Sequence, residues 1–353
     1  MSYYSIASTS LTLDKISCKK SKNYLKTIIS PSLYYYWTEI MLQCRKINNW
    51  VFVSNAFHPC SWLYNTMPNK THCYTKIGNK YSSCFYETIE ILFILNFNFD
   101  SSYNSTFVHF GVKCENVKQA CIYSLQNPCT NHFTFTNIFP NSFNTIVVNN
   151  LFIDCITLSS CENNEYSYTL DILKQFCIAV CIQKYKGSLV FKINSIFHSL
   201  TIDVLYLICS MYDKVYITKP LCTNPCEFSK YIVCKGFKKK QTEKMISTFQ
   251  SLYFYLWNCS DNEYVERILS IPIPLYFLNK LEELNSIFGQ PCLEHVYNIL
   301  VNYHEIKSEK IKSDLFKCQE WCVKHNVIPY DQSVTKNYSF GNFGSFGTFN
   351  SSF

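Results

Sequence analysis

Apolar runs alternate with polar punctuation along the chain, and the period of those runs changes with position. Residues 1–30 are polar and show no regular period, which predicts an N-terminal arm. Residues 31–48 carry helical spacing, with Ser30 placed as a cap and Pro31 at the first helical position. Short β-type runs follow from residue 50, in "WVFVSNAF", "STFVHFGV" and "NTIVVNNLFIDCIT". The segment "EYSYTLDILKQFCIAVCIQKYK" (165–186) predicts a helix, and Gly187 stands where a helix is commonly closed. "SLVFKI" then reads as a buried strand, "LTIDVLYLICSMY" as a helix, and "KVYITKP" and "KYIVCKGF" as two further strands. Strands alternating with helices of this length predict a layered α/β sheet. Beyond about residue 240 the spacing is helical, in "TEKMISTFQSLYFYLWN", "PIPLYFLNKLEELNSIF", "PCLEHVYNILVNYHEIKSEK" and "SDLFKCQEWCVKHN". The expected domains are therefore an arm (1–30), an α/β domain (31–240), a helical extension (241–332) and a tail (333–353). The tail sequence "YSFGNFGSFGTFNSSF" repeats Phe-Gly without charge, a low-complexity pattern expected to be disordered, either a set of docking phenylalanines or a plain flexible end.

Composition narrows this picture. A chain of 353 residues with 48% hydrophobic and 17% aromatic content has enough apolar material for a large core, which excludes wholesale disorder. The net charge of +7 comes almost entirely from lysine, arginine occurring only at Arg45 and Arg267. A mild basic excess suits phosphate or acidic partners, but lysine lacks the planar fork needed for bidentate clamps. An AT-rich coding bias accounts for much of the Lys, Asn, Ile, Phe and Tyr.

The 20 cysteines admit an extracellular disulfide scaffold or buried reduced thiols. The opening "MSYYSIASTSLTLDKISCKKSKNY" has no basic start followed by an apolar core, so no leader is expected. Apolar runs such as "ETIEILFILNFNF" fall short of the ~20 residues of a membrane span. Acceptor patterns for N-glycosylation at Asn69, Asn104 and Asn258 are expected by chance in so Asn-rich a chain. The expectation is a cytoplasmic protein with reduced thiols and no membrane contact. Cys177 and Cys181 form an i,i+4 pair inside an apolar helical pattern and read as core. Cys318, Cys322 and His325 are better spaced for zinc but lack a fourth ligand, so no metal is expected.

The order of a helix, a glycine, a strand with an embedded lysine, a helix, a strand ending in Lys-Pro, and an "SKYIVCKGF" strand resembles the FtsJ-type RNA ribose 2′-O-methyltransferases. It is similar to the forms carried by large cytoplasmic DNA viruses, which modify mRNA caps. "KGSLVFKI" (186–193), "VYITKPLCTNPCEFSKYIVCKGF" (215–237) and "YYYWTEIM" (34–41) carry the resemblance, with "EWCVKHNV" similar to the closing helix. It implies a Rossmann-like methyltransferase sheet flanked by helices with a C-terminal helical extension, S-adenosylmethionine as cofactor, and a Lys-Asp-Lys-Glu tetrad. Lys192 falls on the second lysine, the base toward the ribose hydroxyl. Free lysine is less than ~0.1% neutral at pH 7, so such a base depends on its neighbours to shed its proton.

Those neighbours depart from the family's pattern. The first lysine's position aligns with Tyr36, the aspartate's with Ser159, and the glutamate's with Ser229. Ser160 and Cys161 replace two glycines, and Asn224 replaces an arginine. Glu227 lies two residues from Ser229, ~6.6 Å along a strand. The cofactor loop, expected within "SNAFHPCSWLYN" (54–65), has Tyr64 and Asn65 where paired glycines would let the backbone approach a ligand. The resemblance therefore implies a degenerate member, expected to hold no cofactor. It would act as a non-catalytic RNA-binding or accessory subunit with capping or transcription proteins, in the host cytoplasm or the virion. Lys219, Lys235, Lys238, Lys239 and Lys240 would line its RNA face, though "KGFKKK" also reads as a solvated turn. The alternatives are an active enzyme using S-adenosylmethionine with Lys192 as base, and a structural virion or assembly protein.

Overall fold

The computed structural model describes residues 3–22, 27–65, 73–77, 80–94, 105–125, 130–147, 153–160, 162, 164–259, 263–302 and 308–329. The elements begin with β1 (Tyr3–Ile6), β2 (Ile16–Ser21), α1 (Pro31–Cys44), α2 (Trp50–Phe57), α3 (Ser83–Ile94) and β3 (Thr106–Phe110). There follow α4 (Cys114–Leu125), β4 (Asn131–Phe135), α5 (Ser142–Val147), β5 (Ile153–Leu158), α6 (Glu165–Ile182) and β6 (Gln183–Ile193). The remainder are α7 (Ser199–Met211), β7 (Tyr212–Thr218), β8 (Lys230–Phe237), α8 (Glu243–Trp257), β9 (Tyr264–Leu269), α9 (Leu275–Asn302) and α10 (Ser308–Lys324). They form two compact units, Met1–His58 with Ser82–Ile306, and Pro59–Tyr81 with Lys307–Phe353.

The first unit is built on a seven-stranded sheet in the order β1-β7-β8-β6-β5-β3-β4. Strands β4, β3, β5 and β6 are mutually parallel, and β8 runs antiparallel to both β6 and β7. This is the expected Rossmann-like α/β fold, flanked by helices. The chain steps from β3 out to β4 and then returns to β5 on the other side of β3. A parallel sheet with that reversal places a ligand crevice at the carboxyl ends of the two central strands.

Local chemistry explains the elements nearest that crevice. Helix α6 starts where the Asn164 side chain accepts the Tyr166 amide, and α8 where Thr242 accepts the Met245 amide. Helix α7 is buried along its whole length. Leu189, Phe191, Ile232 and Cys234 turn one sheet face into a core shared with α6, α7 and α8. Each such buried aliphatic or aromatic side chain contributes about 1.5–3 kcal/mol. Two carboxylates anchor the connections. Glu165 accepts the amides of Phe197 and His198, each at 2.9 Å, and the hydroxyls of Ser195 and Thr201. Asp203 takes the Arg267 guanidinium at 2.7 Å and the amides of Ile268 and Leu269.

Four expectations are corrected. The N-terminal arm contains two strands: β1 extends the sheet edge with Tyr4 and Ile6 toward the core, and β2 pairs with β9. "WVFVSNAF" is helix α2, because an apolar run of that length has no diagnostic period and its packing against α9 decides. Helix α6 ends at Ile182, and Gly187 lies inside β6 rather than closing the helix. The two helices expected on either side of Pro291 are one helix, α9, in which Gly289 lets Leu33 and Phe228 approach.

In the second unit α10 packs on a 3-10 turn over Pro59–Leu63, burying Cys318, Trp321 and Cys322, and Thr75 bridges to Pro329. The expected 31–240 and 241–332 boundaries are thus not those of the two units. The Phe-Gly tail, Asn69, Asn104 and Cys161 lie outside the described residues. Among the described residues no helix is long and apolar enough to cross a membrane.

Candidate functional site

Lys192 stands one residue from the carboxyl end of β6, directly across from Tyr231 on β8. Helix α3 lies over this pair and presents Glu87, of which 1% is exposed. The Lys192 ammonium reaches Glu87 Oε2 at 3.1 Å, and the Tyr231 hydroxyl donates to the same oxygen at 2.6 Å. Burial alone would push the Lys192 pKa down, but Glu87, then Glu227 and Tyr168, outweigh it and hold the amine above its ordinary value. Burial alone would raise Glu87, but Lys192 and the Tyr231 hydroxyl hold the carboxyl below its ordinary value. The pair is an ion pair with a buried carboxylate and a partly exposed ammonium.

One turn further along α3, Glu90 is equally buried and accepts the amides of Leu221 at 2.9 Å and Cys222 at 3.2 Å. It thereby pins the turn that follows β7. His58 donates to the Cys222 carbonyl at 3.1 Å, and burial lowers its pKa to about 4, which keeps the ring neutral. Within the same turn Lys219 donates to the Glu227 carbonyl, and the Ser229 hydroxyl donates to the Glu227 carboxylate at 2.8 Å. Burial lowers the pKa of Lys219. Lys230, fully buried at the start of β8, has its pKa lowered to about 7, by burial first and then by Lys219. The site thus gathers Lys192, Lys219, Glu87, Glu227, Tyr231 and Ser229.

Tyr36 does not join them. It is 63% exposed and lines a shallow groove between α1 and α9 with Glu39, Ile40, Gln43 and Tyr297. The helix that precedes the first parallel strand is α3, and its contribution beside Lys192 is a carboxylate. Sequence reading passed over Glu87 and Glu90, although two carboxylates three residues apart in the apolar run "ETIEILFI" were a signal.

The first parallel strand is β3, so the loop at the cofactor position begins at Gly111 and not within residues 54–65, which hold the end of α2 and a 3-10 turn over Pro59–Leu63. Gly111 has φ +95°, and a Cβ there would sit 1.9 Å from the Ser159 carbonyl oxygen. Ser159 donates its amide and its hydroxyl to the Phe110 carbonyl, at 3.1 and 2.9 Å. The Gln175 amide clamps both the N–H and the C=O of Ser159. The close approach that a glycine permits is thus filled by the chain itself. Beside it, between α3, α4 and the sheet, lies a cavity of about 40 Å³ lined by Thr88, Val117, Cys121, Val190 and Lys192.

The five lysines expected to share an RNA face are separated. Lys219 is at the Lys192 end of the sheet. Lys235 lies four residues beyond Tyr231 on antiparallel β8, ~13 Å toward the opposite end. Lys238, Lys239 and Lys240 follow β8 farther that way, Lys238 donating to the Ser8 hydroxyl at 2.8 Å.

Every described cysteine is a free thiol. Among the described residues no group of three or more His, Cys, Asp or Glu is arranged to hold a metal ion. Cys318 donates to the Pro59 carbonyl at 3.2 Å, and His325 packs on Trp321 with ring centres 4.5 Å apart.

No known family profile matches the chain. A short stretch is similar to cap-specific mRNA (nucleoside-2′-O-)-methyltransferases. It is 31% identical over 68 residues to the 1A protein of Caenorhabditis briggsae. It is 30% identical over 67 residues to the human protein 1. Each match takes in 19% of this chain and only 8% of the relative. Among solved structures, human methyltransferase-like protein 13 in complex with SAH aligns at 10% identity and a TM-score of 0.29, covering 50% of this chain and 89% of that one. The Methanococcus jannaschii fibrillarin pre-rRNA processing protein aligns at 12% identity and a TM-score of 0.23, covering 40% and 70%. The fold assignment rests on the sheet order itself, and the sequence likeness points to methyltransferases.

Proposed function

We propose that this chain is a non-catalytic RNA-binding or accessory protein of viral mRNA capping or transcription, built on a methyltransferase fold. The observation that carries this reading is the Lys192–Glu87 ion pair, completed by the Tyr231 hydroxyl. A lysine acts as a general base only as the neutral amine, and here Glu87, Glu227 and Tyr168 together outweigh burial and hold the ammonium, with no lysine at the Tyr36 position to oppose them. The closure of the β3 and β5 ends by Ser159 and Gln175 supports the same reading. The likeness to cap methyltransferases supports RNA as the partner.

The test supplies capped and uncapped RNA with tritiated S-adenosylmethionine and follows methyl incorporation, alongside calorimetry with the cofactor alone and with each RNA alone. The expected result is RNA binding without cofactor binding or transfer. Transfer that disappears in Lys192→Ala would overturn the reading. It would favour a second one, an active ribose methyltransferase, for which the gathering of Lys192, Lys219, Glu87 and Glu227 speaks.

A further inference from the structure

Helices α1 and α9 lie side by side, and their inner faces are filled. Leu33 approaches Gly289, and Trp37, Ile40 and Met41 pack with Cys44, Val296 and Ile299. Outward, between the two helices, lies an open groove of about 440 Å³ lined by Tyr36, Glu39, Ile40, Leu293, Glu294 and Tyr297. Its rings and carboxylates face solvent: Tyr297 is 61% exposed, and Tyr36, Glu39 and Glu294 are exposed as well. Leu42 of α1 and Val301 of α9 add exposed apolar surface on the same two helices. The charge here has one sign. No lysine or arginine occurs in α1 or in residues 290–302 of α9. Lys46 follows α1 and donates to the Gln43 side chain at 3.0 Å, at one end of the groove. Among the described residues neither Glu39 nor Glu294 has an ion pair, and Glu294 accepts the Gln290 side-chain amide at 2.9 Å. In a chain of net charge +7 the groove is a local reversal of sign.

We propose that the α1–α9 groove docks a basic amphipathic helix of a partner protein. The inference goes beyond the reading above and stands without it, since the groove shares no residue with the Lys192 site. A groove between two helices takes the apolar stripe of a third, whose side chains at i, i+3 or i+4 and i+7 would rest on Ile40, Leu293 and the tyrosine rings. Lysine or arginine flanking that stripe meets Glu39 and Glu294, and a cation over the face of Tyr36 or Tyr297 gains a cation–π contact. Exposed tyrosines are also the side chains that carry binding energy at protein interfaces. An acidic helix would set carboxylates against Glu39 and Glu294, and a nucleic acid would set phosphates there. Charge complementarity therefore selects a basic partner.

The experiment is fluorescence anisotropy on the full chain with a labelled amphipathic peptide about 18 residues long, built of leucine and lysine. The same peptide with glutamate in place of lysine is the control. Wild type, Tyr297→Ala and the double variant Glu39→Lys/Glu294→Lys are compared, and thermal melting verifies each fold. Saturable binding of the lysine peptide to wild type is expected. Tyr297→Ala is expected to weaken it ~5-fold or more, as truncation of an interface anchor does. The double charge reversal is expected to weaken it ~10-fold or more and to admit the glutamate peptide instead. No saturable binding by wild type overturns the proposal, as does binding that both variants leave unchanged. Equal binding of the two peptides to wild type marks mere apolar adhesion and also overturns it. Sedimentation of wild type and both variants is run alongside. Self-association that the variants abolish would make a second copy the occupant and overturn the choice of partner.

Discussion

Lys192 and Glu87 meet at 3.1 Å although 105 residues separate them in the chain, and Tyr231 binds the same carboxylate oxygen. Breaking one side of the pair leaves a charge without its counterpart, and Glu87 is the more deeply buried of the two. Lys192→Met is therefore expected to lower unfolding stability by about 3 kcal/mol and Glu87→Gln by less, whereas replacing both with Met should destabilise less than Lys192→Met alone. Urea titrations of the two single variants and the double variant form the cycle. Additive losses would show that the two groups do not act as a pair.

Lys230 is a buried amine with a pKa near 7 in the fold, against an ordinary value near 10.5. The unfolded chain then binds more protons than the folded one between about pH 7 and pH 10, so this group makes stability rise with pH across that window. Below pH 7 both states are protonated and the penalty is constant. Lys230→Met is expected to stabilise the protein at pH 7 and to remove that rise. Melting temperatures of both proteins from pH 6 to pH 10 decide it, and parallel curves would count against a neutral Lys230.

Glu165 behaves with the opposite sign. Burial alone would raise its carboxyl, but the His198 ring and the Ser195 hydroxyl hold the pKa at about 2. A depressed carboxyl contributes stability above its unfolded pKa near 4.5 that is lost as pH falls toward 2, on the order of 3 kcal/mol in all. Glu165→Gln should be less stable at pH 7 and show a weaker acid transition between pH 4.5 and 2. Acid titration by circular dichroism of both proteins checks this.

Gly111 combines φ +95° with a carbonyl oxygen where a Cβ would go. Gly111→Ala is expected to cost about 3 kcal/mol or more, through left-handed strain of about 1–2 kcal/mol plus displacement of Ser159. Chemical denaturation measures the loss. A nearly silent substitution would mean that the β3 end opens easily, and that a ligand has access there after all.

Much of the sheet was legible in the chain. The α6–β6–α7–β7–β8 succession follows from helical and alternating periods bounded by caps and turns, and β8 falls at Lys230–Phe237 as the run "KYIVCKGF" indicates. Elements without a clear period were not legible. Helix α2 and strand β1 are short, and neither has enough turns or alternations to fix its own state, so their packing partners decide. Proline at 291 is a local signal to stop a helix, yet contacts of Gly289, Cys292 and Val296 carry α9 through it.

By itself the sequence determined that Lys192 sits on a buried strand and that a helix and two further strands follow it. That β8 rather than the next strand, β7, pairs with β6 and sets Tyr231 opposite Lys192 is a tertiary result. Only the tertiary structure decided what Lys192 faces. Glu87 arrives on a helix whose apolar run hides its carboxylates, and a charge's state depends on neighbours in space rather than in sequence. The same holds at the end of β3, where Ser159 and Gln175 close the crevice from a strand and a helix that no local pattern ties to Gly111.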